Sequence, residues 1–227
     1  MLNFACVYYG DKYTFPYVRN LHSMVERNLT VPHRFICFTD NTVIHRRKEF
    51  KNTNIEFKPF KRHDLNGWFN KLQLFSPQSQ LEGDTLYMDL DIVIMKNIDC
   101  FATIGESKNF VGMNDFNPTT GLFNSSIMRF NNQYHNIIWE QYLKRRTEFN
   151  NAHGDQEIIS SLIKKHEDTI SFPDEWTQSY KWLNRKGERY HTSKMTYEQD
   201  PNAKVCVFHG NPNPAESTQK WVQELWK

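Results

Sequence analysis

Apolar side chains along this chain come in short dense runs, separated by stretches where they recur every third or fourth residue. Leu2–Tyr8 (LNFACVY) is apolar everywhere but Asn3, which predicts a strand buried on both faces. Tyr17, Val18, Leu21, Met24 and Val25 then follow at helical spacing. Residues 34–39 (RFICFT) predict a second strand and residues 55–57 a short third. Residues 68–75 (WFNKLQLF) predict a helix stopped at Ser76-Pro77, because the residue before proline is pushed out of the α region. Residues 86–95 (LYMDLDIVIM) form the most apolar run in the chain and predict one continuous buried strand.

The second half is less regular. Residues 110–113 and 122–130 predict strands around a loop rich in Asn, Pro, Thr and Gly at 114–121. Residues 133–146 predict a helix with Tyr134, Ile138 and Tyr142 on one stripe, and 155–165 another with Ile158, Ile159, Leu162 and Ile163. A late strand at 205–208 runs into HGNPNP, and residues 215–226 predict a terminal helix. Strands alternating with helices imply an α/β fold with a mostly parallel central sheet covered on both faces. With no repeat, low-complexity segment or linker, a single domain over 1–227 is expected.

Composition narrows the function. Twenty-eight basic against 26 acidic residues leave a net charge of +2, unlike a nucleic-acid coat or a polybasic membrane anchor. Arg46-Arg47-Lys48 and Lys144-Arg145-Arg146 read as solvated faces, the second complementing a helix C-terminus. No apolar run approaches the roughly 20 residues of a membrane span, and the first residues lack the basic lead-in of a secretory signal. Cys6, Cys37, Cys100 and Cys206 show no zinc spacing, and three lie in strand-like runs, so a reducing, cytoplasmic setting is expected. Aromatic residues reach 15%, which favours a core of large side chains over ring-stacking recognition.

Candidate chemistry starts at Asp89-Leu90-Asp91. On a strand, residues i and i+2 share a side, so both carboxylates are expected on one face at the strand's carboxyl end. Two acids in a dry setting repel and are penalised by desolvation. Either one is protonated, or a cation sits between them, and hard ions such as Mg²⁺ or Mn²⁺ take oxygen ligands and keep positions open for phosphates. Pairing with a nearby lysine, or capping of the next turn, is the structural alternative. Lys71, in the preceding helix, is a candidate partner for phosphate oxygens, and His209, at a strand end beside a sharp turn, a candidate third ligand.

These pieces, in order, resemble a GT-A glycosyltransferase, closest to retaining family 8, which includes glycogenin and bacterial lipooligosaccharide galactosyltransferases. Val7-Tyr8-Tyr9-Gly10-Asp11-Lys12-Tyr13 resembles the family's first strand with its uracil-contacting tyrosine, and Asn70-Lys71-Leu72 its lysine-bearing helix. Tyr87-Met88-Asp89-Leu90-Asp91 with Asn97-Ile98-Asp99 resembles the metal-binding segment, and Phe123-Asn124-Ser125-Ser126 the strand beside the donor sugar. Gly154-Asp155-Gln156 resembles the helix start near the anomeric carbon, and Val207-Phe208-His209-Gly210 the C-terminal segment. Departures are Ser126 for the usual Gly, His209 directly abutting Gly210, and Asn213 where a lysine is expected.

The resemblance implies a Rossmann-like GT-A fold that moves a hexose from a UDP-sugar to an acceptor hydroxyl on a glycan or other molecule, with retention and with Mn²⁺ or Mg²⁺. It implies Asp89, Asp91 and His209 as metal ligands; Tyr8, Tyr13, Lys71 and Gly210 against the nucleotide; and Asn124, Asp155 and Gln156 at the sugar. Two rivals keep different sequence features. A sugar nucleotidyltransferase needs a Gly-rich basic loop after strand one, for which Gly10-Asp11-Lys12 is a poor substitute. A catalytically silent nucleotide-sugar or glycan-binding protein would use Trp176, Tyr180 and Trp182 as platforms.

Overall fold

The computed structural model describes residues 1–182 and 197–227. In chain order the first half runs β1 (Leu2–Tyr8), α1 (Phe15–Asn28), β2 (His33–Thr39), β3 (Ile55–Pro59), β4 (Thr85–Met88) and β5 (Ile92–Ile94). The second half adds α2 (Asp99–Thr103), β6 (Phe110–Asn114), β7 (Phe123–Phe130), α3 (Gln141–Lys144), α4 (Asp155–Ile163) and β8 (Thr169–Ser171). The chain closes with β9 (Thr177–Ser179), β10 (Val205–Val207) and α5 (Lys220–Leu225).

Seven strands form one sheet in the order β3-β2-β1-β4-β7-β6-β8, and every pairing is parallel except the two made by β7. Alternation explains how it is buried. Phe4, Cys6 and Tyr8 of β1 pack with α1 on one face, while Ala5 packs with Phe75, Tyr87 and the α4 isoleucines on the other. Each face of the sheet therefore has its own apolar layer, as a mostly parallel sheet requires. A second sheet, β5-β10-β9, stands beside the first.

The predicted strand over 86–95 is two strands. β4 pairs in the large sheet and ends at Met88, while β5 pairs antiparallel with β10 in the small one. Between them Asp89-Leu90-Asp91 turns from one sheet to the other. The Asp89 N–H donates to the Ser126 carbonyl of β7 (2.9 Å), and the Asp91 carbonyl accepts from the Phe208 N–H after β10 (3.1 Å). Two partners in different sheets cannot be served by one straight strand, so the two carboxylates do not share a strand face.

Three predicted helices also change form. Gly67–Phe75 is a 3₁₀ helix, buried from Asn70 to Phe75. The predicted helix over 133–146 is π-helical over His135–Glu140 and α-helical only over Gln141–Lys144. The terminal helix is interrupted: Pro214–Glu216 is one 3₁₀ turn, and α5 starts only at Lys220. Among the described residues no helix is long and apolar enough to cross a membrane. All four cysteines are free, and Cys6, Cys37 and Cys206 are buried.

Candidate active site

The carboxyl ends of β1 and β4, the start of β7 and the start of α4 meet around a cavity of about 640 Å³. Open α/β sheets bind ligands beyond the carboxyl ends of their strands, and this cavity lies there. It gathers Tyr13, Lys71, Asp89, Asp91, Asn124, Asp155, Gln156, His209 and Gly210, nine of the ten predicted site residues. Tyr8 lines a neighbouring cavity of about 550 Å³ with Asp40 and Arg47. Gly10, Asp11 and Tyr13 border both, so the two spaces adjoin across the β1–α1 loop.

Lys71 is the electrostatic centre. It is 7% exposed, and its ammonium lies 3.0 Å from Asp89 and 3.1 Å from Asp155. It also donates to the Ser125 hydroxyl at 3.1 Å. Burial alone would lower its pKa, but the carboxylates of Asp155 and Asp89 outweigh desolvation and hold it above the ordinary lysine value. Asp89 is placed the opposite way: burial pushes it up, and Lys71 with the Tyr87 hydroxyl, 2.5 Å away, brings it below the usual carboxylate range. Lys71 is thus already paired to the acids, the structural alternative noted for the sequence.

Among the described residues Asp91 makes no ion pair. It is 5% exposed, and burial followed by the charge of Asp89 pushes its pKa up, against smaller opposing effects of Lys12 and the Tyr13 hydroxyl. That hydroxyl is itself pushed up by burial, then by the charges of Asp91 and Asp89. The Tyr13 ring packs against Tyr17 with centroids 4.8 Å apart, and the Lys12 ammonium sits 4.6 Å from its centroid.

The residues predicted for the sugar side are held by backbone geometry, a local hydrogen bond and one long-range bond. Gly112 makes room for β7: a Cβ there would meet the Phe123 ring at 2.6 Å. The pairing shifts between Gly112 and Met113, leaving Asn124 opposite Met113. Asn124 Oδ1 accepts from the Ser126 N–H at 2.9 Å. Asp155 opens α4, where the helix dipole favours an acid. The Gln156 amide donates to Asp115 Oδ2.

His209 is differently engaged. The Ser179 hydroxyl oxygen accepts from the Lys181 and Trp182 N–H groups at 3.1 and 3.0 Å. With both lone pairs used, its own proton points to His209 Nε2, 2.6 Å away. The ring also stacks on Phe116 at 5.5 Å. Among the described residues no three His, Cys, Asp or Glu side chains are grouped to hold a metal ion. The predicted ligands share a cavity but face different partners: Asp89 faces Lys71, Asp91 faces Tyr13 and His209 faces Ser179. This arrangement makes a specific expectation. His209→Ala should change Mn²⁺ affinity by less than about tenfold, the lower bound for losing even an outer partner of a metal site. Calorimetry of both proteins at pH 5.5 and 7.5 checks it, and a greater loss at pH 7.5 would show that the ring turns to the metal.

Sequence reasoning missed four residues here. Asp115 holds Gln156, and nothing in its loop announces that. Arg47, read as a solvated charge, lies with its guanidinium 3.2 Å from the Phe15 ring centroid in the second cavity. Lys181 donates to the His209 carbonyl at 3.2 Å, and its ammonium is 3.3 Å from where a Gly210 Cβ would lie. Gly210 has φ +96°, so the left-handed backbone and the nearby cation both favour glycine. Trp68 lines the main cavity and is 61% exposed.

No protein-family model matches the chain, and no curated protein matches it. Solved structures do. An active-site mutant of LgtC superimposes with a TM-score of 0.67 at 14% identity, covering 98% of this chain and 93% of that one. The apo-form glycosyltransferase GlyE of Streptococcus pneumoniae gives 0.67 at 16% identity, with 99% of this chain covering 59% of GlyE. The bifunctional glycosyltransferase WbbM gives 0.65 at 10% identity, and this chain spans 51% of its length. At such identities the likeness is one of fold. The seven-stranded sheet, its flanking helices and these neighbours together give the chain a GT-A glycosyltransferase fold.

Proposed function

We propose that this chain transfers a hexose from a UDP-sugar to an acceptor hydroxyl, with a divalent cation and with retention at the anomeric carbon. The observation that carries the reading is the convergence of a buried acid pair, a buried lysine and the Asn124–Asp155–Gln156 group on one cavity, itself adjoining a second cavity of about 550 Å³.

Asp89 and Asp91 fit a cation: Asp91 is buried beside a second carboxylate that raises its pKa, a conflict a positive ion relieves. They would hold Mn²⁺ or Mg²⁺, with His209 as third ligand only by giving up its Ser179 bond. Such an ion supplies positive charge opposite the negative charge that develops on the departing diphosphate.

The chain's own residues do the rest. Lys71 presents a fixed cation at the cavity wall, available to phosphate oxygens once it shares its two carboxylates. Gly210 lets the C-terminal backbone approach the diphosphate without a side chain, and Lys181 puts a cation beside it. Tyr8, Tyr13 and Arg47 border the space for the nucleoside. Asn124 would orient the donor sugar, while Asp155 and the Asp115-held Gln156 would flank the anomeric carbon as positive charge builds there. Retention follows from the resemblance to family 8, and the anomeric configuration of the product, read by one-bond C–H coupling, tests it.

The deciding experiment is a panel of UDP-, GDP- and CMP-sugars scored for nucleotide release with Mn²⁺ and with EDTA. UDP-hexoses are expected to release UDP only with the metal. Equal release from GDP- or CMP-sugars, or release that survives EDTA, would overturn the donor and metal assignments. A metal-dependent thermal shift with no release from any sugar would favour the silent binding protein.

A further inference from the structure

Of the aromatic residues singled out in the sequence as sugar platforms, Tyr180 is buried, and Trp176 and Trp182 are half-buried against other rings. Tyr180 is 3% exposed, stacked on Phe208 at 4.0 Å and on Tyr197 at 4.5 Å. Trp176 sits edge-on to Phe101 at 5.2 Å. Trp182 lies edge-on to His209 at 5.9 Å. Among the described residues Trp68 is the one aromatic side chain among the large exposed hydrophobics.

Its exposure has a place. Trp68 is the second residue of the 3₁₀ helix Gly67–Phe75, three residues before Lys71, and that helix is buried from Asn70 onward. It borders the main cavity and not the neighbouring one that Tyr8 lines. A Cβ at Gly154 would lie 3.9 Å from the indole Cε3, so the indole lies beside the backbone that leads into Asp155 and Gln156. On the same rim His153, 91% exposed along its side chain, pairs with Glu157 at 3.1 Å. A flat apolar face thus stands next to a polar, hydrogen-bonding pair, at the end of the cavity that holds the sugar-side residues.

That pairing has a chemical counterpart. A pyranose ring has one face of C–H groups, electropositive enough to rest on the electron-rich face of an indole, and an equator of hydroxyls that need polar partners. The burial of an exposed indole by such a ring adds apolar area to the contact. We propose that Trp68 is the platform of the acceptor subsite, stacking on a pyranose while His153 and Glu157 receive its hydroxyls, so that the acceptor is a saccharide. This deepens the glycosyl-transfer reading and rests on it.

Saturation-transfer NMR tests it directly, with the methyl glycosides of glucose, galactose, mannose and N-acetylglucosamine as probes, on protein supplied with UDP and Mn²⁺. At least one glycoside is expected to bind through the protons of one ring face. Trp68→Ala should weaken that binding roughly tenfold and Trp68→Phe less, in keeping with the loss of one ring stack. Because the side chain is largely exposed, both variants should melt with the wild type. If none of the glycosides binds, or if Trp68→Ala binds them as well as the wild type, the assignment is overturned. UDP calorimetry on the same samples reports the donor site separately. Absent UDP binding with Trp68-dependent glycoside binding would sink the donor reading and keep the saccharide platform.

Discussion

Replacing Asp91 by asparagine is expected to abolish Mn²⁺-dependent UDP binding and, at the same time, to raise the melting temperature of the ligand-free protein. The two effects have one cause. Asp91 is 5% exposed and sits two residues from Asp89; Lys12, the Tyr13 hydroxyl and Lys71 relieve it in part, and among the described residues it makes no ion pair. Burial and the neighbouring charge raise its folded pKa above the unfolded value near about 4. An acid shifted upward costs stability once it is ionised in the fold. The cost is complete above the folded pKa and vanishes as pH falls below the unfolded one. Asparagine keeps the shape and removes the charge, so the variant should be the more stable protein at pH 7.5, with the advantage shrinking on acidification towards pH 4. Losing a direct carboxylate ligand should cost at least about 100-fold in metal-dependent affinity, the upper range seen for mere outer partners. Calorimetry with UDP and Mn²⁺, beside thermal melts from pH 4 to 8, reads both. Undiminished affinity would remove Asp91 from the metal site, and a lower melting temperature at neutral pH would show that its charge is not a burden.

Much of this site is legible in the sequence because its residues lie at the edges of elements that hydrophobic runs mark well. The seven-residue run of β1 ends at Tyr8, just before the loop that borders both cavities. The isoleucine stripe of α4 fixes where Asp155 and Gln156 stand. Those signals are local, and local burial decides them. What the sequence hides is pairing at a distance. Nothing between Leu86 and Met95 says that the chain changes sheets at Leu90; that follows from Ser126 bonding Asp89 at one end of the turn and Phe208 bonding Asp91 at the other. The partners of Gln156 and Gly210, Asp115 and Lys181, arrive from loops 41 and 29 residues away in the chain. Aromatic residues mislead for a related reason: composition counts rings, and only the three-dimensional packing separates the buried Tyr180 from the exposed Trp68.

Lys71→Met should cost the ligand-free protein about 3–5 kcal/mol, the range for breaking a buried ion pair by removing one partner. The sequence presents Lys71 as a phosphate partner, and methionine preserves most of its stem. The structure gives the ammonium a second task. It is shared between Asp89 and Asp155, both largely enclosed, and without it these two acids lose the cation between them while the like charge of Asp91 stays nearby. For a chain of this size the loss corresponds to a fall of roughly 10 °C or more in melting temperature. The pH dependence follows from Asp89, whose folded pKa is lowered. Its pairing stabilises the wild type above the unfolded carboxylate value near about 4 and is lost as pH falls through the folded one. Wild type and variant should therefore differ most at neutral pH and converge as the solution is acidified below pH 4. Mn²⁺ should restore more stability to the variant than to the wild type, because an added cation replaces the missing one. Thermal melts of both proteins across pH 3 to 8, with and without Mn²⁺, carry the test. If the ligand-free variant melts with the wild type at pH 7.5 and only UDP affinity falls, Lys71 serves the phosphates alone and the ion pairs contribute nothing to the fold.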